Sequence, residues 1–166
     1  MRSFIIASVL VATLATLANG QFHAECQVYW EVNEACDSVQ SKIIDQMNAW
    51  DNDDCGTQPG DSEPNGQKCK YKFTGSDGNV VTGTHTTPIK LYVDELTFTF
   101  YPRDVGGCAI DGYSLSTPES ILDYGTNFCN LYNLMDGSGV TADPGFTETT
   151  NDYICTQYSE RNCDIY

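Results

Sequence analysis

Between Trp50 and Glu63 the chain reads WDNDDCGTQPGDSE, which gathers Asp51, Asp53, Asp54, Asp61 and Glu63 around one cysteine and two glycines. Carboxylates this dense are hard oxygen ligands, and calcium accepts irregular cages of roughly 6–8 oxygens. The EF-hand pattern does not fit. Counting from Asp51, loop position 3 is Asp53 and position 6 is Gly56, but position 5 is Cys55 and position 12 is Ser62. The bidentate acid is missing, since Glu63 falls one residue late. A calcium site of another kind, built from Asp51, Asp53, Asp54, Asp61 and Glu63, is the metal expectation. It competes with a hydrated turn whose charge the neighbouring lysines partly balance.

Other chemistries have fewer residues to work with. Nucleophilic hydrolysis wants a base beside a serine or cysteine, and the chain has two histidines, His23 and His85. The GYSLS stretch at Gly112–Ser116 lacks the second glycine of a nucleophile elbow. No catalytic residue is assigned. Carboxylate-pair hydrolysis needs two acids ~5 to 9.5 Å apart, which any part of a chain with 23 acids can supply. Glu34, Asp94 and Glu95, on expected regular elements, are the first acids to inspect. A terminus starting at Gln21 would put an amine and the His23 imidazole in a nitrogen set suited to copper or nickel, although cyclisation of the glutamine removes that amine. The ten tyrosines, seven phenylalanines and two tryptophans fill an ordinary core or line an apolar-ligand pocket between sheet and helix.

The opening residues place Arg2 before an apolar run from Phe4 to Leu17 and then small residues, the form of a secretory signal peptide cut before Gln21 or before Asn19. The run is shorter than the ~20 residues that span a bilayer. Removing residues 1–20 leaves 146 residues, the size of one domain, 21–166, with seven basic against 23 acidic side chains and a net charge of −16. So acidic a surface repels phosphate backbones and anionic lipid, which argues against nucleic acid and membranes as partners. Cys26, Cys36, Cys55, Cys69, Cys108, Cys129, Cys155 and Cys163 all follow the leader. An even number of cysteines in an exported chain predicts disulfides, here four, in a pairing that spacing does not fix. Zinc is disfavoured because no two cysteines have the C-x2-C spacing.

The elements that must position these residues follow from periodicity. Val28, Val32, Ala35, Val39, Ile43, Met47 and Trp50 step by three and four, predicting a helix over about Gln27–Trp50, or a shorter one capped by Asn33 or Asp37. CKYKFT alternates as a strand, GSDG signals a hairpin, and IKLYVDELTFTFY and CAIDGYSL follow as strands around an RDVGG turn. Gly112 marks an expected bulge. STPES predicts a helix start, with Thr117 as cap and Pro118 at the first turn, running until DGSG at Asp136–Gly139. The rest is a polar tail pinned by Cys155 and Cys163. The expected fold is α+β: an N-terminal helix, about four antiparallel strands forming one sheet, a second helix, and a disulfide-pinned irregular C-terminal tail. A sheet wrapped on a long helix, as in cystatin-like or nuclear-transport-factor-like folds, resembles that order in architecture alone. The functional expectation is a secreted, acidic binding or interaction protein acting without covalent chemistry on an extracellular protein, a small apolar ligand or a cation. The alternative is a small secreted hydrolase using a carboxylate pair.

Overall fold

The computed structural model describes residues 22–56 and 66–166. Its first element is a strand, β1 (Glu25–Val32), and helix α1 (Cys36–Ala49) comes second. This corrects the expected helix from Gln27. Val28 and Val32 lie four apart, as on a helix, but Cys26, Val28, Trp30 and Val32 are all buried and alternate with more exposed residues, a period of two. Branched and aromatic residues in QVYWEV suit a pleated surface better than a helical one. The helical stripe begins only at Cys36 and continues through Val39, Ile43 and Met47.

Strands β2 (Tyr71–Asp77), β3 (Val80–Thr86), β4 (Val93–Pro102), β5 (Cys108–Ser116) and β6 (Thr147–Thr149) complete an antiparallel sheet in the order β2-β3-β4-β5-β1-β6. The α+β class therefore holds with six strands, not about four. The two additions are β1, which the helical spacing disguised, and β6, inside the tail expected to be irregular. The hairpin at GSDG forms, with Gly78 at φ 56° supplying the left-handed turn residue. In β4, Leu96, Phe98 and Phe100 face inward as expected.

The bulge lies elsewhere than expected. Register shifts between Phe73 and Gly75 on β2, whereas Gly112 pairs without interruption with Val28 and Phe98. Gly112 is small for a different reason: a Cβ there would lie 2.5 Å from Cζ3 of Trp30, whose ring fills that space at the centre of the core.

Helix α2 (Thr126–Gly137) begins well after STPES. Thr117 does not cap it, because its hydroxyl donates to the Val93 carbonyl at 2.8 Å and fastens the loop to β4. Capping falls to Asp123. Gly125, at the helix boundary, has no side chain to offer, so the Asp123 carboxylate accepts from the amides of Gly125 and Asn127, each at 3.1 Å.

Four disulfides form, as expected from the cysteine count. Cys36–Cys108 ties the start of α1 to the start of β5, and Cys55–Cys69 closes the acidic loop across a separation of 14 residues. Cys26–Cys155 and Cys129–Cys163 hold the tail against β1 and α2. Bridges of this kind form in oxidising surroundings. Among the described residues, no helix is long and apolar enough to cross a membrane.

The Trp30–Gly112 contact generates a direct test. Gly112→Ala forces a methyl into the Trp30 ring in a close-packed core, and equilibrium urea unfolding is expected to show a loss of roughly 1–3 kcal/mol. An unchanged midpoint would mean the ring has room that this packing denies it.

Candidate functional site at the polar end of the sheet

The buried face of the sheet changes character along the strands. At one end lie Trp30, Phe98, Phe100 and Ile110, all essentially inaccessible. At the other end a single rung runs across four strands through cross-strand partners: Tyr71 beside His85, His85 beside Asp94, Asp94 beside Ser116. All four are polar and buried.

Helix α2 answers this rung with asparagines at every third position. Asn127, Asn130 and Asn133 are buried, on the side of the helix that meets the sheet and tail. Asn130 donates to Asp94 Oδ2 at 2.7 Å, while its own main-chain carbonyl accepts from the Tyr71 hydroxyl at 3.0 Å. Asn127 Nδ2 donates to the Ser116 hydroxyl oxygen and to Asp123 Oδ2, both at 2.9 Å, and its Oδ1 accepts from Ser114 at 2.6 Å. Asn133 donates to the main-chain oxygen of Tyr166 at 2.9 Å. A polar network joins two carboxylates, Asp94 and Asp123, through Ser116 and Asn127.

Those carboxylates are 2 % and 6 % exposed. None of the ion pairs among the described residues includes either of them. Burial, the dominant effect, raises both acids above the usual aspartate value. Hydrogen bonds from Ser116 and Asn130 act in the opposite sense on Asp94, and the nearby charge of Asp123 pushes it further up.

Both acids line a cavity of about 420 Å³ at this end of the sheet. Its walls come from the β3–β4 connection and the β5–α2 connection, with Tyr166 of the tail closing one side. The rim is apolar and largely in water: Ile89, Tyr92, Leu122 and Tyr124 are each more than half exposed. Lys90 is the cationic side chain of the lining. The two wall loops also carry strained backbone. Leu91 and Tyr124 adopt φ of 55° and 53°, a region costly for residues with a Cβ. Tyr124 is held there by Gln157, whose side-chain oxygen accepts from the amides of Asp123 and Tyr124 at 2.8 and 2.9 Å.

His85 sits behind the floor. Its ring is fully buried, lies 4.4 Å from the Tyr71 ring, and has neither nitrogen in hydrogen-bonding geometry. The Gln67 main chain and the Asn130 amide act on it from nearby without satisfying either nitrogen, so burial dominates and lowers its pKa to about 4. The imidazole is neutral at physiological pH.

The residues singled out from sequence fall in different places. Asp94 is in the site. Glu34 is ion-paired with Lys42 at 2.6 Å and held below the usual glutamate value chiefly by that contact, and Glu95 is exposed on β4. Asp51, Asp53 and Asp54 are exposed on the loop after α1, with Lys70 bonded to Asp53. Asp61 and Glu63 lie outside the described residues, and among those described no group of three or more acids, histidines or cysteines is arranged to hold a metal ion. His23 Nδ1 lies 2.8 Å from the Ser116 carbonyl, a contact that engages the nitrogen a terminal copper site would use. Of the two expectations for the aromatic residues, Trp30, Tyr71, Phe98, Phe100 and Phe128 fill a core between sheet and helices, and the cavity bounded by Asp94 and Asp123 opens at the sheet's end. Asp123, Asn127 and Asn130 were missed, although asparagines at 127, 130 and 133 form a regular polar stripe on a helix whose other spacing is apolar.

No protein-family model and no curated protein matches the chain.

The buried imidazole predicts an acid-sensitive step. With a folded pKa of about 4 against an ordinary 6.5, the unfolded state takes up the proton first as pH falls. His85 therefore contributes stability above pH 6.5 that is lost between there and pH 4, by roughly 3 kcal/mol. Asp94 and Asp123, raised in the folded state, oppose it: their contribution is present below the ordinary aspartate value and lost as pH rises through their folded values. Urea unfolding across this range should show a pH slope that is reduced in His85→Gln; identical slopes would exclude His85 as its source.

Proposed function

We propose that this chain is a secreted binding protein that takes a small amphipathic ligand into the cavity at the polar end of its sheet. One observation carries the reading: an apolar rim of exposed Ile89, Tyr92, Leu122 and Tyr124 surrounds a floor of buried hydrogen-bonding groups, Asp94, Ser116 and Asp123. Ligand sites combine mostly apolar walls with a few fixed polar groups, commonly in volumes of ~300–1,000 Å³. The apolar-leader sequence and the four bridges support export through an oxidising route.

Two desolvated acids in one cavity also favour a second reading, the carboxylate-pair hydrolase. Against it stands the work Asp123 already does. Both of its oxygens accept from groups at the start of α2, so its first role is to hold the helix. A non-covalent role asks nothing further of Asp123.

The test is titration with N-phenyl-1-naphthylamine, an uncharged fluorophore that brightens in apolar sites. Saturable brightening with Kd on the order of micromolar is expected, weakened about tenfold or more by Leu122→Glu, which places a charge on the rim. No saturable signal, or a variant titrating like the parent, would remove the pocket as a binding site.

A further inference from the structure

Resting on that reading of the cavity, we infer that its ligand is an organic ammonium ion with an apolar body, whose charged head is received by Asp94 while its body lies among the rim side chains.

Among the described residues the floor is short of positive charge: Asp94 and Asp123 lie out of water without a cationic partner, and their neighbours at the floor, Ser116, Asn127 and Asn130, are neutral. Hydrogen bonds from neutral donors replace only part of what water supplies to an ionised carboxylate. An incoming ammonium supplies the rest. Asp94 offers the vacant acceptor capacity: a carboxylate has about four lone-pair sites, and Asn130 and Ser116 engage two donors' worth of them. Asp123 is committed to the Gly125 and Asn127 amides and the Asn127 side chain, so it contributes charge more than contacts.

The walls suit the same ligand. Tyr92, Tyr124 and Tyr166 line the cavity, and aromatic faces attract cations as well as apolar groups. Lys90 is exposed, so its side chain is free to stay in water while its stem lines the cavity. The field of the whole chain points the same way. A net charge of −15 over the full sequence raises the local concentration of cations and repels carboxylate or phosphate ligands. A fatty acid or a phosphorylated metabolite of equal size meets the wrong sign at the surface and at the floor.

Calorimetry on the full disulfide-bonded protein with three isosteric probes tests this: 2-phenylethylamine, 2-phenylethanol and phenylacetate. The amine is expected to bind about tenfold or more tighter than the alcohol, and the acid least well. Asp94→Asn should erase the difference between amine and alcohol while circular dichroism shows the fold retained. Should that variant fail to fold, pH serves instead: amine affinity must fall from pH 7 to pH 4 as Asp94 and Asp123, both raised by burial, take up protons beside the rim cation Lys90, with His85 protonating only at the acid end, while alcohol affinity stays level. Equal affinities for amine and alcohol, a preference for phenylacetate, or no heat from the amine at millimolar concentration would overturn the inference. With naphthylamine binding retained, those outcomes leave the cavity a site for neutral or anionic ligands; with it lost, the cavity reading falls as well.

Discussion

A buried polar rung cannot be left dry. Tyr71, His85, Asp94 and Ser116 lie side by side on the covered face of the sheet, and a hydrogen-bonding group buried without a partner costs about 1–3 kcal/mol. Helix α2 supplies matching donors and acceptors to Tyr71, Asp94 and Ser116, while the two nitrogens of His85 stay unmatched. Asparagine suits the task because one short side chain carries both a carbonyl and an amide. Asn127 alone joins Ser114, Ser116 and Asp123, and thereby fixes the helix against β5 and against its own preceding loop. Sliding α2 by one residue would break all of these bonds together. The helix register, the course of the β5–α2 connection and the position of the cavity wall therefore share one origin.

Division of the sheet into an apolar end and a polar end explains where space is left. At the apolar end Trp30, Phe98, Phe100 and Ile110 interpenetrate with the helices, and glycines at 83 and 112 admit Met47 and Trp30 so closely that a methyl group would collide with them. Such packing leaves no opening. At the polar end the side chains are shorter, directional bonds set the spacings, and the two wall loops stand off from each other. The tail completes the wall because covalent bonds bring it there: Cys129–Cys163 holds it to α2, and Asn133 binds the oxygen of Tyr166. Arg161, stacked 3.7 Å over the Tyr158 ring and 5.1 Å from that of Phe128, secures the stretch between. The disulfides matter here less as a general source of stability than as the reason an otherwise polar segment can form one side of the cavity.

Much of this fold was legible in particular residues. The alternation of Leu96, Phe98 and Phe100 identified the longest strand, and GSDG its neighbouring hairpin. The first strand was not, because Val28 and Val32 belong to a period of two and to a period of four at once, and only Trp30 between them distinguishes the two. Thr117 and Pro118 looked like a helix start because the local signal is genuine, but the hydroxyl found a partner on β4 and the helix was left for Asp123 to cap. Asp94 is legible as a candidate acid because a regular element holds its side chain still. Its partner is not, since proximity across 29 residues of chain is set by strand pairing, which spacing does not encode. The dense acids after Trp50 drew attention by number; the acids that matter here are few and buried.

Stability and binding meet at that floor. Keeping Asp94 and Asp123 desolvated without a cation costs folding free energy, as does holding Leu91 and Tyr124 in left-handed backbone. A chain selected for stability alone would place an asparagine or a leucine at 94 and a glycine at 124. These four unfavourable features, two desolvated acids and two left-handed residues, meet around one cavity. A ligand that relieves the desolvation recovers part of that cost on binding, and by mass action it stabilises the folded state in proportion to its occupancy. Under the proposed binding role the strain acts as preorganisation: the cavity is already shaped before a ligand arrives, and less of the interaction is spent on ordering it.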